Sequence, residues 1–266
     1  MTPVLVSRGA SPVILGFPHV GTFVPDDVAA RLNDEGRKLR DTDWHVDRLY
    51  AGLLPGATTV RATFHRYVVD ANRDPSGASL YPGQNTTGLV PLTDFDDRPL
   101  WQTTPDEAEI ARRVAAFHAP YHAALAAEVA RVKAMHGVAV VYDCHSIRSV
   151  CPFLFDGVLP DFNVGTDGGA TCDPSIERAV VETAANAACY RTVLNGRFRG
   201  GWTTRHYGRP SAGVHAIQME LAQVTHLETE APPFAYDEAK AERLRPVLKT
   251  ILERVAKAAL ALGVKR

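Results

Sequence analysis

The sequence predicts a single α/β domain in which helices pack on both faces of a mixed central sheet. Three observations lead to this prediction. Short apolar runs alternate with longer segments whose apolar residues recur every three or four positions, the pattern of strands between amphipathic helices. The 266 residues, 45% of them hydrophobic, suffice for one substantial core. We find no internal repeat and no linker-like tract that would divide the chain.

Four short, mainly apolar runs are predicted to be strands, since each is too short to form a helix of ordinary length. They are Val13–Phe17 and residues 67–70, 138–143 and 216–221. The first and third runs each lead into a histidine, His19 and His145. Ligands of open α/β sheets bind beyond the carboxyl ends of the strands, so these two histidines are candidates for one shared site.

The clearest helical pattern begins at Thr104. Thr104 would be the N-cap, Pro105 the first helical residue and Glu107 the partner in a capping box. Proline lacks the backbone N–H that an inner helical turn needs, so Pro120 is expected to kink this helix. Further helices are predicted from Asp173 onward and over residues 41–54 and 237–262. Residues 75–99, rich in Gly, Pro, Asn and Thr, are predicted to form a long loop.

Composition and charge argue against several classes of protein. With a net charge of -1 and a pI near 6.8, the chain lacks the basic character of a nucleic-acid-binding protein. No apolar run approaches the roughly 18 residues of a transmembrane helix, and the first residues lack a signal-peptide pattern. The four cysteines show no Cys-x-x-Cys spacing, which argues against a disulfide framework. We therefore expect a soluble cytoplasmic protein that binds neither nucleic acid nor membranes.

The two strand-end histidines predict a metal site. Either histidine alone could equally cap or pack a strand end, but the pair favours metal binding. A catalytic zinc takes three protein ligands, often histidines with a carboxylate, and leaves one position for water. The carboxylate is expected from Asp41, Asp43 or Asp47. Asp41 could instead cap the predicted helix, and spacing alone does not choose between Asp43 and Asp47, which lie one turn apart.

Asn72 and Arg73 follow the predicted strand at residues 67–70. A planar guanidinium can bind a carboxylate through two parallel hydrogen bonds, so this pair suits the recognition of an anion. The alternative is an ion pair between Arg73 and one of its neighbours, Asp70 or Asp74.

Two further arginines add positive charge to the predicted crevice. Arg148 lies three residues after His145, and Arg205 lies in a segment rich in glycine and aromatic residues. A nearly neutral protein that gathers arginines near a metal site is expected to bind a small dicarboxylate.

Glu220 lies near the end of the apolar run at residues 216–221. A carboxylate there is costly to bury unless it is paired or protonated. Beside a metal site it could act as a general base that later delivers a proton to the leaving amine. The alternative is that the alternation of side chains along the strand directs Glu220 to solvent.

Five segments, taken together and in order, resemble the N-formylglutamate amidohydrolase family, over about residues 12–230. These segments are Pro18-His19-Val20-Gly21, Asp41-Thr42-Asp43-Trp44, Val69-Asp70-Ala71-Asn72-Arg73, Asp143-Cys144-His145-Ser146 and Gly201-Trp202-Thr203-Thr204-Arg205-His206-Tyr207-Gly208. One segment alone would be a weak signal, whereas five in order are specific.

The resemblance implies a zinc-dependent amidohydrolase whose α/β fold is phosphorylase/hydrolase-like and related to the metallocarboxypeptidases. In that wider group a histidine, a carboxylate, an Asn-Arg pair, a second histidine and a late glutamate follow one another. The corresponding residues here are His19, Asp43, Asn72 with Arg73, His145 and Glu220. Carboxypeptidases place the ligand carboxylate three residues after the first histidine, where this chain has Thr22. The resemblance therefore favours Asp43, which lies in a matching segment, over Asp47.

The implied reaction is hydrolysis of N-formyl-L-glutamate to L-glutamate and formate, the last step of a histidine degradation route. Glu220 would be the base, while Asn72, Arg73, Arg148 and Arg205 would hold the two carboxylates of the substrate. Two alternatives remain open at this point. One is a deacylase of N-succinyl or N-acetyl amino acids, and the other is a non-catalytic dicarboxylate-binding protein on the same scaffold.

Overall fold

A mixed central sheet organises the protein, whose computed structural model describes residues 2–79 and 83–263. Its strands in this part of the chain are β1 (Val4–Ser7), β2 (Val13–Phe17), β3 (Thr58–Ala62), β4 (Ala139–Ile147), β5 (Phe162–Gly165), β6 (Thr192–Leu194) and β7 (Val214–Ala222). Their order across the sheet is β1-β3-β2-β4-β7-β5-β6. β1 pairs with β3, and β5 with β7, in antiparallel fashion, whereas the other pairs are parallel.

Helices cover the two faces of this sheet. The α-helices are α1 (Asp26–Ala29), α2 (Val46–Tyr50), α3 (Glu107–Arg113), α4 (Ala119–His136), α5 (Pro174–Ala185), α6 (Trp202–Tyr207) and α7 (Glu238–Gly263). A π-helical turn, Val114–His118, joins α3 to α4, and short 3₁₀ helices span Gly36–Lys38, Pro210–Ala212 and Gln223–Thr225. Among the described residues, no helix combines the length and the hydrophobicity needed to cross a membrane.

The alternation of side chains along β4 divides the hydrophobic core in two. Val140 and Tyr142 pack in the cluster that includes α2, α5 and α7. Val141 faces the opposite way and packs with Tyr121 and Leu125 of α4. Such burial on both faces explains why this strand is a continuous apolar run. The predicted α/β fold with a mixed sheet and helices on both faces is therefore confirmed.

The parallel pairing of β2, β4 and β7 brings three carboxyl ends to one edge of the sheet. Gly16 of β2 pairs with Asp143 of β4, and His145 of β4 lies in register with Glu220 of β7. The three predicted strands at Val13–Phe17 and residues 138–143 and 216–221 are thus confirmed, with β4 extending four residues further.

The prediction of a strand at residues 67–70 is wrong. This run forms a turn, in which the Val68 N–H donates to the carbonyl of His65 at 2.9 Å and the Arg73 N–H to that of Asp70 at 3.2 Å. The run is apolar because Val68 and Val69 are buried against the α4 face of the sheet. Periodicity does not distinguish such a buried turn from a short buried strand.

Two predicted helix beginnings are also wrong. Asp106, and not Thr104, caps α3, because its side chain accepts a hydrogen bond from the Glu109 N–H at 2.8 Å. Of the predicted helix at residues 41–54, only Val46–Tyr50 is an α-helix, and Asp41 instead accepts a hydrogen bond from the Phe95 N–H.

The other helical expectations agree better with the structure. The helix predicted from Asp173 onward is α5, whose N-cap is Asp173, and α7 closely matches residues 237–262. Near Pro120 the regular hydrogen-bond pattern gives way to the π-helical turn that ends at His118. The described part of residues 75–99 contains no helix or strand, apart from an isolated bridge between Thr93 and Pro99.

Candidate active site

Three buried side chains, His19, Asp43 and His145, converge at the carboxyl ends of β2 and β4. One ligand atom from each lies within 4.8 Å of the others. Asp43 Oδ2 is 3.1 Å from His145 Nδ1 and 3.7 Å from His19 Nδ1. A backbone hydrogen bond also links two of these residues, since the Asp43 N–H donates to the His19 carbonyl at 3.0 Å. This group could hold a metal ion.

Each histidine lies beside a second aspartate, which His19 contacts through a hydrogen bond and His145 through an ion pair. His19 Nε2 lies 2.7 Å from Asp70 Oδ1, and His145 Nε2 lies 2.9 Å from Asp143 Oδ2. A histidine whose Nε2–H donates to a carboxylate presents the lone pair of Nδ1 to a metal. In the structure both Nδ1 atoms face Asp43, and His19 Nδ1 is buried with no hydrogen-bond partner. Two such histidines and one carboxylate match the donor set of a catalytic zinc site.

The electrostatics of this site favour a positive charge at its centre. Burial alone would raise the pKa of Asp70, but the charges of Arg66 and His19 hold it well below its usual range. Burial alone would lower the pKa of His145, but Asp143 and Asp43 raise it well above its ordinary value. These carboxylates would equally stabilise a bound divalent cation.

Of the three candidate carboxylates, only Asp43 reaches the histidines. Asp41 is buried and bonded to the Phe95 N–H, as described above, and burial raises its pKa to about 7. Asp47 lies on α2, is partly exposed and pairs with Arg61. Of the three, it is therefore Asp43 that lies with His19 and His145 in the group that could hold a metal ion.

A cavity of about 60 Å³ opens beside the metal-binding group. Its wall includes five of the residues singled out from the sequence, namely His19, Asn72, Arg73, His145 and Glu220. Asp43 lies behind the two histidines and is almost fully buried. Two of the three predicted metal ligands, the predicted base and the predicted Asn-Arg pair therefore share one cavity, whereas Asp43 does not line it.

Glu220 points into this cavity and not to solvent, with 7% of its surface exposed. Its position on β7, in register with His145, sets this orientation. Gln218 Nε2 donates to Glu220 Oε2 at 3.1 Å. Burial raises the pKa of Glu220 to about 8, so this carboxyl group gains or loses a proton readily near neutral pH.

Asn72 and Arg73 are held in place from several directions. The Asn72 N–H donates to Asp70 Oδ1, and Asn72 Oδ1 accepts a hydrogen bond from the Thr203 N–H, each at 2.8 Å. Arg73 Nε donates to the Thr87 carbonyl at 2.9 Å. Gly201 approaches so closely that an added Cβ would lie 2.3 Å from Asn72 Nδ2, which explains the glycine.

Two histidines, His118 and His122, contact the backbone of the segment that contains Asn72 and Arg73. His122 Nε2 lies 2.7 Å from the Ala71 carbonyl, and His118 Nε2 lies 3.0 Å from the Arg73 carbonyl. These two carbonyl groups flank Asn72. Burial lowers the pKa of His122 to about 3, so its ring is neutral at physiological pH.

Arg148 and Arg205 do not line the cavity. Arg148 Nη2 lies 2.9 Å from Asp96 Oδ1, and Arg205 Nη2 lies 3.2 Å from Asp167 Oδ1. A different arginine, Arg197, forms part of the cavity wall.

Sequence reasoning considered Asp70 only as an ion-pair partner of Arg73, which it is at 4.0 Å, and gave no role to Asp143 or Arg197. A signal for Asp143 was present, because it lies two residues before His145 on one strand, where side chains share a face. Asp70 and Arg197 reach the site through turns and loops, which have no such regular period.

Comparison with known proteins links this geometry to one family. The sequence profile described as N-formylglutamate amidohydrolase matches residues 11–227. The chain is 49% identical over 250 residues to a Pseudomonas aeruginosa protein named N-formylglutamate deformylase, an alignment covering 92% of this chain and 93% of that protein. A protein of the same name from Pseudomonas putida is 44% identical over 262 residues, covering 97% of this chain and 96% of its own length.

Solved structures agree with the sequence comparisons. The crystal structure of N-formylglutamate amidohydrolase from Ralstonia eutropha JMP134 aligns with a TM-score of 0.76 and 25% identity, covering 100% of this chain and 98% of that one. A structure from Agrobacterium tumefaciens shares the fold, with a TM-score of 0.73, 20% identity and coverage of 100% and 97%. On the profile match and the two Pseudomonas relatives, this chain belongs to the N-formylglutamate amidohydrolase family.

Proposed function

We propose that this protein hydrolyses N-formyl-L-glutamate to L-glutamate and formate with the help of a bound divalent metal, zinc being the best match to its ligands. The observation that carries the proposal is the buried group of His19, Asp43 and His145. The two histidines of this group line one cavity together with Glu220 and Arg73. The names of the two Pseudomonas relatives support the choice of substrate.

In this proposal His19, Asp43 and His145 hold the metal. Asp70 and Asp143 fix the histidine rings through their Nε2 atoms and so keep both Nδ1 atoms directed at the metal position. A zinc ion bound there would polarise the formyl carbonyl and lower the pKa of water.

Glu220 acts as the general base. Its carboxylate accepts a proton from the attacking water and returns it to the amide nitrogen as the C–N bond breaks, which releases formate and glutamate. The hydrogen bond from Gln218 fixes one carboxylate oxygen, so the other oxygen is the one that exchanges the proton.

Asn72 and Arg73 bind a substrate carboxylate and position the amide. Arg73 lies in the cavity wall, held by Thr87, so its guanidinium is oriented before substrate arrives. Arg148 and Arg205 lie outside the wall, and we propose that they contribute positive charge and not direct contact.

The wider setting is part of the same proposal. A single domain of residues 1–266 would act in the cytoplasm on a small dicarboxylate substrate. The reaction would be the last step of a histidine degradation route. A protein in this role needs neither nucleic acid nor a membrane as a partner.

A substrate panel tests the proposal. Purified protein is incubated with the N-formyl, N-acetyl and N-succinyl derivatives of L-glutamate, and free glutamate and formate are quantified before and after chelation and zinc addition. We expect release only from the formyl compound, lost on chelation and restored by zinc. Faster cleavage of a longer acyl group would instead identify a different deacylase. Tight binding without turnover would favour the dicarboxylate-binding alternative.

A further inference from the structure

The cavity wall carries three arginines among the described residues, Arg66, Arg73 and Arg197. Arg66 Nη2 lies 2.6 Å from Asp70 Oδ2, and both side chains are buried, so this arginine supports the histidine-orienting aspartate. Arg73 adjoins Asn72, whose Nδ2 lies 3.2 Å from His145 Nε2, so it is joined in the chain to a residue that contacts a histidine of the metal-binding group. Arg197 approaches the cavity from a different loop.

Backbone carbonyl groups orient the guanidinium of Arg197. Its Nε donates to the Leu154 carbonyl at 2.7 Å, and its Nη2 donates to the Asn85 carbonyl at 2.6 Å. The guanidinium carbon also lies 5.5 Å from the centre of the Phe198 ring. A guanidinium is a planar fork of N–H donors, and this fork matches the shape of a carboxylate.

Arg73 and Arg197 are attached to the same short stretch of chain. Arg73 donates to Thr87, and Arg197 donates to Asn85, two residues earlier. Two residues of extended chain span at most about 7 Å, so the anchors of both guanidinium groups lie on one wall of the cavity. This arrangement suits a ligand with two carboxylates separated by a few carbon atoms.

We propose that Arg197 determines specificity by binding the side-chain carboxylate of the N-formyl amino acid, while Arg73 and Asn72 bind the α-carboxylate. This assignment rests on the proposed function above. The α-carboxylate is attached to the carbon that bears the scissile amide nitrogen, so it belongs beside the metal end. The side-chain carboxylate extends three carbon atoms further along the chain, toward the loop that carries Arg197.

The physical reason for a second arginine is the cost of burying a second charge. Phe95, Leu154 and Phe198 line this part of the cavity, and a carboxylate enclosed by apolar side chains needs a charged, hydrogen-bonding partner. A neutral side chain on the substrate would leave the guanidinium of Arg197 without that ligand. The enzyme should therefore discriminate strongly between glutamate and glutamine derivatives.

The test compares two substrates, N-formyl-L-glutamate and N-formyl-L-glutamine, in the wild type and in three variants. N-formyl-L-glutamine replaces the side-chain carboxylate by a neutral amide of the same shape. We expect Arg197→Gln to lower kcat/KM for N-formyl-L-glutamate by roughly 100-fold and that for N-formyl-L-glutamine less than about threefold. Arg197→Lys, which keeps the charge but loses the fork, should show an intermediate loss on the glutamate compound alone. Arg178→Gln, an exposed change on α5, is the control for removal of one positive charge.

The outcomes separate this inference from the proposed function. Equal losses on both substrates in the Arg197 variants would mean that Arg197 only supports the loop, and would overturn the inference alone. An unchanged kcat/KM for both substrates in the two Arg197 variants would overturn the inference as well. Wild-type protein inactive on both compounds after zinc loading would overturn the proposed function and, with it, this assignment. Metal content and melting temperature establish that each variant is folded.

Discussion

The two ends of the cavity are built in different ways. At the metal end, strands carry part of the site: β4 supplies His145 with its neighbour Asp143, and β7 places Glu220 in register beside them. His19 follows β2 by two residues, and Asp43 lies outside the strands and helices. The substrate end rests on loops, in which Arg73 and Arg197 depend on carbonyl groups of residues 85–87 and Leu154. Side chains on packed strands are positioned by the whole sheet, whereas loop residues need individual hydrogen bonds. We infer that the metal end governs the chemical step and the loop end governs substrate choice.

Removal of the ligand carboxylate should have the largest effect. Asp43→Asn withdraws a charge that both histidines face, so we expect bound zinc to fall below about a tenth per chain and kcat/KM to fall more than 1000-fold. Metal analysis and formate release measure the two quantities. The control is Asp47→Asn, which changes a nearby aspartate on α2 that pairs with Arg61. This variant should keep its bound zinc and its kcat/KM. Normal zinc content in Asp43→Asn would rule out Asp43 as a ligand.

Loss of the base should affect the chemical step without emptying the metal site. In Glu220→Gln we expect kcat to fall roughly 100- to 10 000-fold, with zinc content unchanged and KM within about threefold of the wild-type value. Steady-state kinetics with parallel metal analysis checks this. A fall of less than tenfold in kcat would show that another group moves the proton.

A change at the substrate end should affect KM and not kcat. Arg73→Gln removes a contact made in the bound and transition states alike, so KM should rise roughly 100-fold while kcat changes little. Unchanged kinetics in this variant would remove Arg73 from substrate binding. A fall in kcat alone would contradict the division of roles between the two ends.

Loss of the His122 side chain that supports the backbone beside Asn72 should also raise KM, but by a smaller factor. His122→Asn shortens the side chain that bonds to the Ala71 carbonyl, and we expect a three- to tenfold rise in KM at normal zinc content. His136→Gln is the control, because His136 is a partly buried histidine at the end of α4 whose Nε2 lies 2.8 Å from the Ala10 carbonyl, and it does not line the cavity. If His122 serves only stability, the melting temperature will fall while KM stays constant.

The raised pKa of Glu220 predicts that the free energy of unfolding of the metal-free protein depends on pH. The folded pKa is about 8 and the unfolded value about 4.5, so the folded state holds an extra proton between these values. Stability should therefore fall as pH rises through this window. Urea unfolding should show Glu220→Gln gaining on the order of 3 kcal/mol over wild type between pH 5 and pH 8. A constant difference would mean that the pKa of Glu220 is not raised in the folded state.

The same comparison explains what the sequence could reveal. His19 and His145 end apolar runs that fold as predicted, so strand periodicity and the order of motifs suffice to bring them together. Asp70 was assigned to a strand, because a buried turn and a short buried strand have the same apolar composition. Arg148 was predicted to bind substrate because it lies three residues after His145, and nothing in the sequence pointed to Arg197. Contacts such as the one between Arg197 and Asn85 join residues 112 positions apart, and no local pattern predicts them.

A zinc titration of the metal-free protein tests the central claim most directly. Formate release from N-formyl-L-glutamate is measured as zinc is added in known ratio to the chain. The account predicts activity that rises linearly and stops at one zinc per chain in the wild type, with no rise in Asp43→Asn. Full activity before any zinc is added, with the metal confirmed absent by mass spectrometry, would contradict it.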